Sequence, residues 1–344
     1  MTEQLPRPDS GGTYDVVIVG GGPAGLSGAL MLGRARRSVL VIDSGEPRNA
    51  PAAHQHGFLT RDGLPPGQLL EAGRREVAGY GVEVHPGRAR TAARDGDGFA
   101  VTVDSGRIVR ARRLLVTAGM TDELPDVPGL APRWGRDVLH CPYCHGWEVR
   151  DLPVGVLSTG PLGVHQALLF RQWTNRLTLL LHTGPRPTPE EAEQLAARGI
   201  AVVDGRVTGL ETAEDQLTGV RLDNGELVPL QALTVAPRAV PRAETLASLG
   251  LEPTPHPMGL GAYIDAGPAG RTSVPGVWVA GNVADPTANV LASAAAGSAA
   301  GAAINADLVA EDTRRAVRAH SGPFSAASEA RVCELVAGDR RHGL

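Results

Sequence analysis

The stretch Tyr14-Asp15-Val16-Val17-Ile18-Val19-Gly20-Gly21-Gly22-Pro23-Ala24-Gly25 decides the fold. Its first half is a continuous apolar run, the pattern of a strand buried on both faces of a parallel sheet. Its second half fits G-x-G-x-x-G, with glycines at 20, 22 and 25. The first glycine makes a tight turn, the second lets a pyrophosphate approach the backbone, and the third lets the following helix pack on the strand. Free N–H groups at that helix start, including the turn around Pro23 and Ala24, favour phosphate. A second apolar run, 38–42, closes with Asp43, 21 residues after Gly22. There a carboxylate can accept hydrogen bonds from an adenosine ribose. Strand, helix and acid are in register, so the segment predicts a dinucleotide-binding βαβ unit.

Outward from it, residues 44–66 read as a loop, with a helix near 68–80 and strands near 81–84, 99–103 and 108–116. Prolines and glycines in 120–135 predict a linker. A second strand–glycine–helix–strand unit spans 154–182, and short β-like segments continue to about 235. The Pro-rich stretch 236–241 predicts a second crossing. The sequence Val277-Trp278-Val279-Ala280-Gly281-Asn282 then precedes an Ala-rich helix running to about 308. Residues 1–13 read as a disordered lead, and 311–344 as a peripheral helix with a frayed tail.

At 344 residues the chain has room for about two domains. Its 44 glycines and 27 prolines make about a fifth of the chain, below the low-complexity range. Charge is nearly balanced, 33 basic against 37 acidic residues, so no nucleic-acid or anionic-membrane partner is expected. Every basic residue is Arg, which excludes a Schiff-base lysine or a lysine general base. The polar opening MTEQLPRPDSGG lacks an apolar secretory core, and no run of 18 apolar residues occurs. With only three cysteines, these features predict a cytoplasmic protein without a disulfide framework.

Cys141-Pro142-Tyr143-Cys144-His145 is the second focus. Zinc needs about four ligands, and no second cysteine pair is present. The run also matches the C-x-x-C-H of c-type haem attachment, which requires export. A structural pair would sit in apolar surroundings, whereas histidines flank this one. Of these competing readings the pattern favours a redox dithiol opening a helix, whose N-terminus stabilises a thiolate. His54 and His56 read first as part of a solvated loop, with a catalytic role as the alternative, Cys333 as a packing cysteine, and Trp134, Trp147 and Phe170 as core or packing residues. Glu190 and Glu191 read as a helix start after Pro189.

Together these motifs resemble the low-molecular-weight thioredoxin reductase family of flavoproteins. The resemblance covers the chain to about 310 and implies two Rossmann-like domains, one inserted in the other. The FAD domain would be 1–122 and 248–314, the CxxC-bearing NAD(P)-binding-like insert 123–247, and the tail 315–344. It implies FAD held at Gly20, Gly22, Pro23, Ala24, Gly25 and Asp43. Ala118 and Gly119 would lie where the chain leaves the flavin domain, and Gly281 and Asn282 in a second flavin signature. The helix from Asn289 and Val290 would face the ring with its N–H groups. A homodimer is implied as well.

The family usually has Asp after the cysteine pair, where this chain has His145, which can accept a proton near neutral pH. Its nucleotide fingerprint is altered to Ser158-Thr159-Gly160-Pro161-Leu162-Gly163, and the H-R-R that grips a 2′-phosphate is replaced by His182-Thr183-Gly184. These departures resemble the dithiol oxidases that close disulfides in gliotoxin and holomycin. The implied activity is oxidation of a small dithiol through Cys141, Cys144 and His145, with FAD and oxygen. The alternatives are an NAD(P)H-dependent reductase acting on a thioredoxin-like protein and a non-catalytic redox sensor.

Overall fold

A computed structural model describes residues 12–320 and 326–339. The ends of the expected lead (1–11) and tail (340–344) lie outside these residues.

Strand β1 (Thr13–Val19) leads through the glycine turn into α1 (Pro23–Arg34), and β2 (Val39–Asp43) returns parallel to β1. Pro23 occupies the first helical turn, where its missing N–H is no loss. Then follow α2 (Pro66–Ala78), β3 (Glu83–Pro86), β4 (Ala89–Asp95), β5 (Gly98–Val103) and β6 (Ile108–Val116). The sheet order is β3-β2-β1-β6-β5-β4. Successive β1 residues point to opposite faces. Val16 and Ile18 pack with α1 residues such as Leu26 and Leu32, whereas Val17 and Val19 pack with Leu40, Phe99 and Leu114 on the other side.

The predicted linker contains a short strand, β7 (Met120–Glu123). After it come β8 (Val138–Leu139), α3 (Pro142–His145), β9 (Val154–Leu157), α4 (Gly163–Phe170), β10 (Leu177–Leu180), α5 (Pro189–Ala197) and β11 (Ala201–Val203). A capping box between Thr188 and Glu191 starts α5, as the Pro189 reading expects. Strands β12 (Val207–Ala213), β13 (Gln216–Leu222) and β14 (Leu227–Pro229) form an antiparallel sheet, and β15 (Ala232–Val235) enters a parallel one. That second parallel sheet runs β11-β10-β9-β15-β8. Strand β16 (Arg238–Pro241) pairs antiparallel with β7, so the outgoing and returning chains lie side by side.

Past β16 the chain is back on the first sheet. Leu246 of α6 (Glu244–Ala247) joins the cluster with Phe99, and the Thr245 hydroxyl donates to the Ala89 carbonyl at 3.0 Å. A small hairpin of β17 (Thr254–Pro255) and β18 (Ala262–Tyr263) leads to β19 (Val277–Val279), which pairs with Leu114–Val116 of β6.

Helix α7 (Val290–His320) differs from expectation by continuing unbroken beyond residue 308. Its acids explain this. Asp307 pairs with Arg113 at 2.7 Å, Asp312 pairs with Arg37 at 2.8 Å, and Glu311 pairs with both Arg112 and Arg113. These partly buried ion pairs hold the second half of α7 to the sheet. Helix α8 (Ala326–Asp339) turns Cys333, Val332, Leu335 and Val336 to solvent, so Cys333 is not the packing residue expected. Trp147 is also exposed (65%), against its core reading, whereas Phe170 is fully buried. No helix of the described residues is long and apolar enough to cross a membrane.

Candidate active site

The glycine turn after β1 is built for close backbone approach. Gly20 has φ +102°, and its N–H donates to the Ile42 carbonyl at 2.8 Å. A Cβ on Gly25 would lie 1.9 Å from the Gly20 carbonyl oxygen. At Gly22 a Cβ would meet nothing within 4 Å, so this residue faces open space. The Thr117 hydroxyl braces the turn against the Val19 and Gly20 carbonyls at 3.0 and 2.8 Å. Asp43 accepts from the Gly21 N–H at 3.1 Å and from Arg74 at 2.8 Å.

This turn opens on a cavity of about 790 Å³ that reaches from Gly20–Ala24 and Asp43 to the cysteine pair. Such a volume suits a large cofactor. Ala118, Gly119, Gly281, Asn282, Asn289 and Val290 line it too. The Asn282 amide nitrogen ties down the Asp285 and Ala288 carbonyls at 3.0 and 2.8 Å. Asn289 caps α7 by accepting the Ala292 N–H at 2.8 Å. The open Gly22 cradle and the acid at the end of β2 are the features an FAD would require.

Cys141 stands at the N-cap of the one-turn helix α3, with Cys144 one turn on, and both are half-buried free thiols. The Cys144 thiol donates to the Cys141 sulfur. Burial opposes ionisation, but the backbone N–H groups of Cys144 and Tyr143 and the nearby Arg48 favour it. The balance lowers Cys141 from its ordinary value to about 7. Cys144 is pushed the other way, because its proton is held by Cys141 and its site is buried.

Burial lowers both neighbouring histidines, so each is neutral at neutral pH. His140 Nδ1 lies 3.1 Å from the Val235 carbonyl, which can only accept. Nδ1 therefore carries the proton and Nε2 is left as a base.

The loop before α2, read from sequence as solvated, forms part of this wall. His54, Gln55 and His56 all line the cavity. His56 lies between Asp62 at 3.3 Å and Glu148 at 3.4 Å, and Glu148 also acts electrostatically on His145. Arg48 makes a two-point contact with Asp122, both distances 2.8 Å. Sequence reading passed over Arg48 and Glu148. The available signal was the concentration of polar side chains in a loop directly following the ribose acid.

The second βα turn is different. The carbonyl of Ser158 accepts the N–H groups of Thr183 and Gly184 at 3.3 and 2.9 Å. The buried Ser158 hydroxyl fills the space beside Gly163 and Gly184, where added Cβ atoms would sit 2.2 and 2.0 Å from it. His182 is turned inward, its Nδ1 accepting the Val207 N–H at 3.0 Å. Arg186 pairs with Asp204. These contacts pack the first and third positions of the turn, while a Cβ on Gly160 would meet nothing within 4 Å.

Known proteins bear on this arrangement. A family model described as pyridine nucleotide-disulphide oxidoreductase matches residues 14–301. Thioredoxin reductase sirT of Leptosphaeria maculans is 32% identical over 296 residues, 81% of this chain and 89% of that protein. Thioredoxin reductase tcpT of Claviceps purpurea is 33% identical, covering 78% and 86%. The crystal structure of HlmI superposes with a TM-score of 0.85 at 47% identity, over 91% of this chain and 98% of that one. The chain thus belongs to the pyridine nucleotide-disulphide oxidoreductase family, and it is a thioredoxin reductase-like oxidoreductase of the FAD-binding fold.

Proposed function

We propose that this enzyme oxidises a small-molecule dithiol to a disulfide at Cys141 and Cys144, with FAD as the resident cofactor and oxygen as the final acceptor. The carrying observation is the contrast between the two βα turns. One shares a cavity with the thiol pair, whereas the other has Ser158 in place of its first glycine and the chain after β10 hydrogen-bonded back onto the Ser158 carbonyl.

The cycle starts from the Cys141–Cys144 disulfide. A substrate thiolate attacks the Cys141 sulfur, forming a mixed disulfide and releasing Cys144. The second substrate thiol then attacks the substrate sulfur of that bond and expels Cys141. A leaving thiolate departs faster when its pKa is low, and Cys141 at about 7 suits that step. The two substrate protons pass to neutral bases, for which His145 and the Nε2 of His140 are positioned. Gly20, Gly22, Gly25 and Asp43 would hold the adenosine diphosphate half of FAD, and the start of α7 the ring. When bound there, FAD would supply the two-electron acceptor needed to restore the disulfide, with oxygen as the final acceptor. The paired strands β7 and β16 favour an insert of about 124–237, slightly shorter than the sequence suggested.

The relatives named thioredoxin reductase favour a second reading, an NAD(P)H-dependent reductase. Anaerobic bleaching of the yellow protein separates the two. A small dithiol should bleach it promptly, NADPH and NADH slowly or not at all, and readmitted oxygen should restore colour with peroxide. Rapid stoichiometric bleaching by micromolar NADPH overturns the oxidase reading.

A further inference from the structure

Glu148 lies three residues past His145, in the turn that follows α3. Its side chain is partly exposed, and such a carboxylate left to itself keeps its rotamer freedom. Here the 44–65 loop meets it, with His56 Nε2 3.4 Å from Glu148 Oε1. His56 is held on its other side, where Nδ1 lies 3.3 Å from Asp62, and Asp62 accepts the Gly57 N–H at 2.8 Å. The Gly57 N–H and His56 keep the Asp62 carboxyl below the usual carboxylate range. Asp62 and His56 thus fix an anion that the chain tethers next to the residue read as the base. Burial opposes protonation of His145 most strongly, Glu148 favours it, and His56 and His140 oppose it. The ring of His54 lies 6.5 Å from that of His56, and both thiols flank His145 on α3. Glu148 is therefore the carboxylate in a cluster otherwise made of imidazoles and thiols.

We propose that Glu148 is a positioning residue for dithiol oxidation: held by His56, it stands as counter-ion to the His145 imidazolium formed when a substrate thiol gives up its proton. The assignment rests on the dithiol reading, since it needs a step in which His145 takes that proton. In this step the substrate S–H bond breaks and an N–H bond forms on His145. The electron pair stays on sulfur, as the thiolate that attacks Cys141. A buried imidazole is by itself a poor acceptor, because burial penalises its charged form. An anion already fixed nearby lowers that penalty without having to reorganise when the proton arrives. Glu148 acts through His145 and needs no contact with the substrate.

The test uses the holoenzyme and the variants Glu148→Gln and Glu148→Asp. The His145 ring is titrated by NMR with isotope-labelled histidine, its signal assigned through His145→Ala, and the pH–rate profile for a small dithiol is measured alongside. Glu148→Gln keeps the shape and removes the charge. It should move the His145 titration to lower pH, carry the acid limb of the rate profile the same way, and slow turnover at neutral pH. The expected loss is about threefold, a small part of the roughly 100-fold or more that a positioned base supplies. Glu148→Asp keeps the charge on a shorter arm and should restore most of both shifts. An unmoved His145 titration in Glu148→Gln overturns the assignment. A moved titration with an unmoved rate profile does so too, since the proton transfer would then ignore the anion. Equal losses of melting temperature and turnover in both variants, with the acid limb in place, make Glu148 a fold residue and also overturn it. A wild-type holoenzyme that oxidises no dithiol refutes the underlying reading instead, and the role of Glu148 falls with it even where the titration moves.

Discussion

The two βα turns begin from the same plan and part at its first position, Gly20 in one and Ser158 in the other. After β1, Gly22 leaves the turn open and Asp43 stands ready beyond it. After β9, Gly160 is equally open, but Ser158 stands where the first glycine would be, and the chain following β10 folds back onto the Ser158 carbonyl. A binding turn is therefore defined by what its side chains leave empty as much as by its fold. Both turns support a parallel sheet.

The largest expected effect separates the cradle from the chemistry. Cys141→Ser and Cys144→Ser should each retain flavin and lose dithiol turnover entirely, since exchange needs both sulfurs. Cys333→Ser, on exposed α8, should match wild type. Turnover by Cys144→Ser would mean that the redox pair is misplaced.

Next in size are the glycine substitutions that contrast the turns. Gly25→Ala drives a Cβ into the Gly20 carbonyl and should cost at least the roughly 1–3 kcal/mol of overpacking, with loss of flavin. Gly22→Ala has room, so its melting should stay within about 0.5 kcal/mol of wild type while flavin affinity falls. Gly163→Ala should destabilise the protein yet leave flavin content intact. Flavin loss from Gly163→Ala, read from the visible spectrum, would erase the distinction between the turns.

Much of this was legible in the sequence because its constraints are local. The first βαβ unit is fixed by an apolar run, three glycines and one acid, all within 30 residues. The cysteine pair is equally local. The 44–65 loop was not legible, because it has no periodicity. Its place is set by Arg48 on Asp122 and His56 on Glu148, partners far along the chain. The length of α7 likewise depends on Arg112 and Arg113, which sit on a different element. Trp147 was misread because an aromatic residue carries no sequence mark of the side it faces.

Smaller effects concern the electrostatics around the open cavity. Reduced Cys141 should react with iodoacetamide along a profile rising with pH through about 7, since the thiolate is the nucleophile. Arg48→Gln removes a cation that favours the thiolate, so the midpoint should move upward. A downward shift would contradict the assigned role of Arg48. His145→Ala should slow dithiol turnover most at lower pH, where unassisted thiolate is scarce, and an unchanged pH–rate profile would remove its proton-handling role.

The pairing of β7 with β16 has a consequence for how such enzymes diversify. Glu123 stands opposite Arg238 on adjacent antiparallel strands, so the two ends of the intervening hundred-odd residues are neighbours in space. A recombination event that exchanged everything between them would leave the ladder, and the sheet it adjoins, intact. The segment between β7 and β16, with its cysteine pair and its βα turn, can accordingly be exchanged as one piece without breaking the first sheet.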